Sequence, residues 1–155
     1  MWRRLIQTRS EAAPAIVRLT LGIVFFPHGA QLMLGWFGGN GFSATMNGFE
    51  HGGIPAVFAF LAIAAEFFGA IGLILGLLGR VAAFGITWVM LVAIFKVHAG
   101  NGFFMNWSGQ QKGEGFEFHL LALAMSVAIM IMGSGALSLD RMLSTQSATG
   151  GRART

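Results

Sequence analysis

Four apolar runs separated by glycine-rich polar stretches organise this chain. The second, from Ile54 to Gly79, reads IPAVFAFLAIAAEFFGAIGLILGLLG and carries one ionisable side chain, Glu66, near its middle. At about 1.5 Å rise per residue such a helix spans the roughly 30 Å hydrocarbon core of a bilayer. The first run extends from about Pro14 to Trp36, with Pro14 suited to a first helical turn. The third, about Arg80 to His98, is short, and the fourth runs from about Phe116 to Met132, ending at Gly133-Ser134-Gly135. Only Gly79 and Arg80 separate the second and third runs, which predicts a tight antiparallel hairpin there. The expected fold is all-α, an integral membrane four-helix bundle.

Composition agrees. The chain is 55% hydrophobic and 10% charged, with 15 Phe and 23 Gly in 155 residues, whereas a soluble domain carries about 25% charged residues. This organisation predicts an N-terminal cytoplasmic segment (1–13), a four-helix transmembrane domain (14–142) and a polar, disordered C-terminal tail (143–155). With no cysteine, the chain itself offers no disulfide, thiolate metal ligand or thiol nucleophile.

The net charge of +4 changes the picture through its placement. Arg3, Arg4, Arg9 and Arg18 precede or open the first helix, Arg80 lies at the hairpin, and Arg141, Arg152 and Arg154 follow the fourth helix. The stretch from Phe37 to Gly53 has no Lys or Arg, and the loop after His98 has only Lys112. The positive-inside rule then puts both termini and the hairpin in the cytoplasm, in a multi-pass protein of the inner (plasma) membrane. The basic residues are thus read as orientation signals, and no nucleic-acid partner is expected. A secretory signal peptide is disfavoured, because Pro27, His28 and Gln31 follow Phe25 where a small-residue cleavage site would be needed.

The polar residues inside these runs are the candidates for chemistry. An acidic side chain at the bilayer centre costs about 2.5–3.5 kcal/mol on insertion scales, so Glu66 must be protonated, paired or in a wet cavity. Small residues Ala59, Ala62, Gly69 and Ala70 share its helical face, which predicts that Glu66 looks into the bundle. His28 sits about fourteen residues into the first helix, roughly 21 Å deep, and Glu66 about twelve residues from the outer end of the second, roughly 18 Å deep. Gln31 shares the face of His28. His98 closes the third helix, and Glu117 and His119 open the fourth. Glu117 and His119 are rotated about 200° from one another, and His119 shares the face of Ala122, Ser126 and Gly133. Three of the helices thus supply His or Glu to the outer half of the bundle, and the second supplies Glu66 near the middle. Bland roles compete: interhelical packing for Glu66, a carbonyl freed by Pro27 for His28, and solvated helix ends for the others.

Several residues in order resemble the DoxX family of small four-helix membrane proteins. They are Arg18-Leu19 with Leu21-Gly22, His28-Gly29, Pro55, Glu66, Gly76-Leu77-Leu78-Gly79-Arg80 with Ala82-Ala83, His98 with Gly102-Phe103-Phe104, and Glu117. The closing Gly133-Ser134-Gly135 with Leu137-Ser138-Leu139-Asp140 also matches, so the resemblance covers about residues 14–142. Many relatives carry a Lys shortly after the His-Gly pair, where this chain has Ala30-Gln31-Leu32-Met33. The resemblance implies a redox or quinone context.

The first functional reading is therefore a quinone-associated or redox-complex membrane subunit with an outward-opening polar pocket. His28, Gln31, Glu66, His98, Glu117 and His119 are its candidate ligand-binding residues, and Phe25, Phe26 and Phe67 flank it. Neutral imidazole and protonated carboxyl groups in a low-dielectric site can exchange protons. No cofactor is expected within the chain itself; quinone is the candidate ligand, and electrons come from an oxidoreductase partner subunit or directly between substrate and quinone. The second reading is a non-catalytic membrane anchor or assembly partner for a peripheral oxidoreductase. A metal site drawing on His28, His98 and His119, and a homodimeric proton-coupled transporter, are weaker readings, and no metal ligand is assigned.

Overall fold

The computed structural model describes residues 5–8 and 10–152, with side chains through Thr145. Every regular element among them is helical. Helix α1 spans Ala12–Leu34, α2 Gly41–His51, α3 Ala56–Leu75, α4 Gly79–Ala93, α5 Glu117–Met132 and α6 Leu139–Arg152. A π turn over Ile94–His98 and a 3-10 turn over Ala99–Asn101 continue α4. Helix α1 packs on α3, α3 on α4, α4 on α5 and α5 back on α1, closing a ring. Its core contains Leu21, Phe25, Leu73, Ile86, Met90 and Ile129. The segments Ala12–Leu34, Ala56–Leu75 and Gly79–Asn101 are long and apolar enough to cross a membrane, while Glu117–Met132 is a shorter apolar helix. The large apolar side chains on the outside of the ring, Ile23, Phe58, Phe68, Phe84 and Trp88 among them, are the lipid-facing surface this implies.

Close backbone approach sets the α1–α3 crossing. A Cβ on Gly29 would lie 2.5 Å from Phe67 Cα and 2.6 Å from the Glu66 carbonyl, and one on Gly22 would lie 3.0 Å from the Ala70 carbonyl oxygen. Two glycines seven residues apart on α1 thus meet α3 at two levels. Across a membrane, where lipid competes equally for apolar side chains, such small-residue contact is what brings helices together. Gly85 of α4 faces Ala65, and Gly69 faces Ala82, in the same way.

The structure differs from the sequence expectation at several boundaries. The second apolar run is interrupted at Gly76, which takes a left-handed conformation (φ 66°) and ends α3. The turn therefore occupies Gly76–Leu78, and Gly79 already belongs to α4. Helix α2 lies in a stretch expected to be loop; its small and polar residues carry little apolar signal, and Thr45 is its one buried residue. The segment 143–155 was expected to be disordered. Its backbone is instead helical to Arg152 as part of α6, a helix begun at Leu139 while Ser138 Oγ accepts from Arg141 N at 3.3 Å, as an N-cap hydroxyl does.

The Gly29 contact yields a prediction. Gly29→Ala should lower stability in detergent by about 1–3 kcal/mol, the cost of overpacking a tight contact. Gly48→Ala, in α2 with nothing within 4 Å of the new methyl, should be neutral or slightly stabilising. Thermal unfolding of the two solubilised variants checks both.

Candidate functional site

Two polar regions lie at opposite ends of the ring. In the first, the polar groups are engaged save the buried Nε of Arg80, which has no hydrogen-bond partner among the described residues. Arg18, within α1, is completely buried. Its Nε donates to the Ser134 carbonyl at 2.8 Å, and its Nη1 to the carbonyls of Leu73 and Ile74. Its Nη2 donates to the Leu137 and Ala136 carbonyls at 3.0 and 3.3 Å. The guanidinium thereby satisfies the free carbonyls at the C-terminus of α3 and the turn after α5, where helix dipoles leave partial negative charge.

Asp140 does the converse. Its carboxylate accepts from Leu78 N at 2.8 Å and Gly79 N at 3.0 Å, capping the start of α4. Ser134 Oγ donates to it at 2.6 Å. Arg80 donates to the carbonyls of Met130 and Ile131 at the end of α5 and to Gln7. Arg18 and Arg80, read from the sequence as orientation charges, are thus also helix caps. The signal available in the sequence was the position of Arg18 one turn inside an apolar helix, where a freely solvated charge is costly.

The second region is the opposite end, where the candidate residues fall. The structure brings His98 and His119 together, their ring centroids 4.1 Å apart and tilted by 43°. The π turn, which adds a residue to the α4 ladder, ends at His98, and such turns recur at functional sites. His98 Nδ1 lies 2.8 Å from the Glu114 carbonyl; a carbonyl only accepts, so Nδ1 carries the proton and Nε2 of the neutral ring is free. His119 lies on the buried stripe of α5 with Ala122, Ser126 and Ile129, the face that spacing assigned to it. Its Nδ1 is buried and has no hydrogen-bond partner. An orphan of this kind costs about 1–3 kcal/mol and calls for an explanation.

The remaining candidates are distributed differently. Glu117 Oε1 accepts from Met105 N at 2.8 Å and Glu114 Oε2 from Asn106 N at 2.6 Å, so both carboxylates pin the loop between α4 and α5. Gln31 donates to the Phe37 carbonyl at 3.1 Å and holds the turn after α1. His28 is exposed on the flank of α1, beside Phe25 (centroids 6.3 Å apart). Phe25 stacks on Phe118, and Phe118 meets His119 edge-on. An aromatic layer therefore intervenes between His28 and the histidine pair.

Glu66 lies in line with Ala59, Ile63, Ala70 and Leu73, all fully buried, yet it remains partly accessible. It has no hydrogen-bonding or ionic partner among the described residues. Its backbone touches Gly29, which puts it at the depth of His28, as helix rise implied. No group of three or more His, Asp or Glu side chains able to hold a metal ion occurs among the described residues.

The DoxX family model matches residues 13–99. This chain belongs to the DoxX family. A relative from Bacillus subtilis (strain 168), named "Putative oxidoreductase CatD", is 28% identical over 130 residues, covering 84% of this chain and 86% of its own. No solved structure matches. Family membership and the apolar helices together make this a DoxX-like membrane protein.

The Arg18 network carries its own prediction. Arg18→Met strands the buried Asp140 carboxylate and the carbonyls of Leu73, Ile74, Ser134 and Leu137, and should cost about 3–5 kcal/mol. Arg141→Met, at an exposed position, should be close to neutral. Thermal unfolding and yield of folded protein measure the contrast.

Proposed function

We propose that this DoxX-family protein is a four-span subunit of the plasma (inner) membrane that works in a quinone-linked redox complex. The turn Gly76–Leu78 and both termini face the cytoplasm. Arginines gather at that end, while the stretch 37–53 carries no Lys or Arg. Helix α5 has 16 residues, about 24 Å of rise, and the loop preceding it completes the fourth crossing.

The observation that carries the redox reading is the buried Nδ1 of His119, without a partner among the described residues, on a ring close beside that of His98. A quinone carbonyl needs an N–H donor beside apolar surface, and the Phe118 ring meets His119 edge-on. A nitrogen beside aromatic surface suits such a headgroup. A bound quinone would supply the capacity to take up electrons and protons together. The chain's own part is to hold and move a proton: the Glu114 carbonyl orients His98 through Nδ1, which leaves its Nε2 without a partner among the described residues. Glu66 provides a second proton-carrying group deeper in the membrane. Electrons reach the site from a partner oxidoreductase, consistent with the name of the Bacillus subtilis relative.

The alternative of an assembly partner is favoured by the loop between α4 and α5, where Trp107 is 87% and Phe104 66% exposed, a surface suited to a docking protein.

Single cysteines test the topology: one at Asn40 should react with an impermeant thiol reagent from outside intact cells, and one at Ser144 only after permeabilisation. Cytoplasmic labelling at Asn40 would reverse the orientation.

His119→Leu separates the functional readings. Removing the orphan nitrogen should leave the fold intact or raise its stability by about 1 kcal/mol, while quinone extracted from the gently solubilised protein falls to background. Glu66→Gln should keep the fold and the bound quinone but lose quinone-linked activity of the assembled complex. Undiminished quinone in His119→Leu would leave the docking role as the better account.

A further inference from the structure

At the cytoplasmic end, outside the Arg18 network, the surface holds an open groove of about 570 Å³ lined by Leu75, Leu137, Leu139, Met142, Arg141 and Thr145, with Ser138 at its base. Its walls are apolar and uncovered: Leu137 is 87% exposed, Met142 60% and Leu75 48%. Leu137 also has a left-handed backbone (φ 50°), a conformation that costs a non-glycine residue about 1–2 kcal/mol. The Arg18 hydrogen bond to its carbonyl holds it there. The fold thus maintains a strained turn whose leucine touches almost nothing of its own chain.

Charge identifies the occupant. Arg141 lines the same groove and is exposed; its backbone bonds Ser138, Ser144 and Thr145, while its guanidinium has no hydrogen-bond or ionic partner among the described residues. Asp140, the neighbouring acid, is buried and spent on Leu78 N, Gly79 N and Ser134. Sequence segments 1–10 and 141–155 contain Arg3, Arg4, Arg9, Arg141, Arg152 and Arg154 and no acidic residue. An apolar trough rimmed by the Arg141 guanidinium, in a chain whose terminal sequences are rich in arginine, matches an anionic phospholipid.

We propose that this groove is a binding site for an anionic phospholipid of the cytoplasmic leaflet, its acyl chain against Leu75, Leu137 and Met142 and its phosphate on Arg141. The first turn of α6 is fastened to the end of α3 by the Asp140 N–H to Gly76 carbonyl bond of 2.9 Å, so the lipid would seat α6 along the membrane surface. This inference rests on the membrane-spanning reading and not on quinone.

The test uses the full chain in nanodiscs of equal phosphatidylglycerol and phosphatidylcholine with identical acyl chains. After partial delipidation in mild detergent, the lipid retained per protein is measured by native mass spectrometry. Wild type should retain phosphatidylglycerol over phosphatidylcholine by about fivefold, the worth of one arginine–anion contact near a membrane. Arg141→Gln should bring the ratio to about one. Leu137→Asn, which suits the left-handed backbone better than leucine, should keep or raise thermal stability and yet reduce retention of both lipids. Equal retention by wild type, an unchanged ratio in Arg141→Gln, or unchanged retention in Leu137→Asn would each overturn the proposal. So would displacement of phosphatidylglycerol by inorganic phosphate beyond that by chloride at equal ionic strength, which would make the site one for free phosphate. Quinone content read from the same samples keeps this outcome separate from the fate of the redox reading.

Discussion

A fully buried guanidinium, Arg18, holds one end of this protein together. Removing a cation from water is expensive, and the cost is offset only when its donors are used and its charge is balanced. Here the donors reach carbonyls from α3 and from the turn after α5, and Asp140 balances the charge through Ser134. Because Arg18 belongs to α1 and Asp140 to α6, the same few bonds tie the first, third, fourth and last helices into fixed register. Lipid supplies no hydrophobic drive between the helices, so directional polar contacts of this kind, with the glycine crossings at Gly22 and Gly29, determine which helix meets which.

This arrangement makes the two ends unequal. At the Arg18 end, helix termini find partners in neighbouring helices: Arg18 for α3, Asp140 for α4, Arg80 for α5. At the other end the chain departs from regular helix in the π turn before His98 and leaves His119 Nδ1 unpaired. The Arg18 end also keeps one such nitrogen, the buried Nε of Arg80, so what separates the two ends is the number of helix termini capped from neighbouring helices.

Much of the fold was legible because apolar runs of membrane length are a strong signal, and helix rise put His28 and Glu66 at a similar level. Gly29 against the Glu66 carbonyl shows that agreement directly. Azimuth was harder. The buried face of α5 was readable from Ala122 and Ser126, but His28 lies on the flank of α1 because the buried stripe runs through Arg18, Phe25 and Gly29 instead. The end of α3 was placed too late because the apolar run continues through the turn, so that Gly76 (φ 66°), which ends the helix, reads as one more small residue of the span, and Leu78 also takes a positive φ (52°). The role of Arg18 was missed because counting charges treats every arginine as solvent-facing.

The short fifth helix explains which acidic groups belong to structure. At 16 residues it falls short of a bilayer by about 6 Å of rise, and under the proposed four-span arrangement irregular backbone from the preceding loop makes up the difference. Backbone at that depth survives only if its N–H and C=O groups are paired. The Phe103 carbonyl takes Glu117 N at 2.9 Å, the Gly102 carbonyl takes Phe116 N at 3.3 Å, and the Glu117 and Glu114 carboxylates take the N–H groups of Met105 and Asn106. Glu117, an apparent candidate for proton chemistry by its position at a helix start, is already committed to sealing this loop. The histidines beneath it are not so committed, since the one bond from His98 to the Glu114 carbonyl orients the ring and leaves its Nε2 free. The groups at this end that the loop leaves uncommitted are therefore nitrogens rather than carboxylates, while Glu66, level with Gly29, has no partner among the described residues.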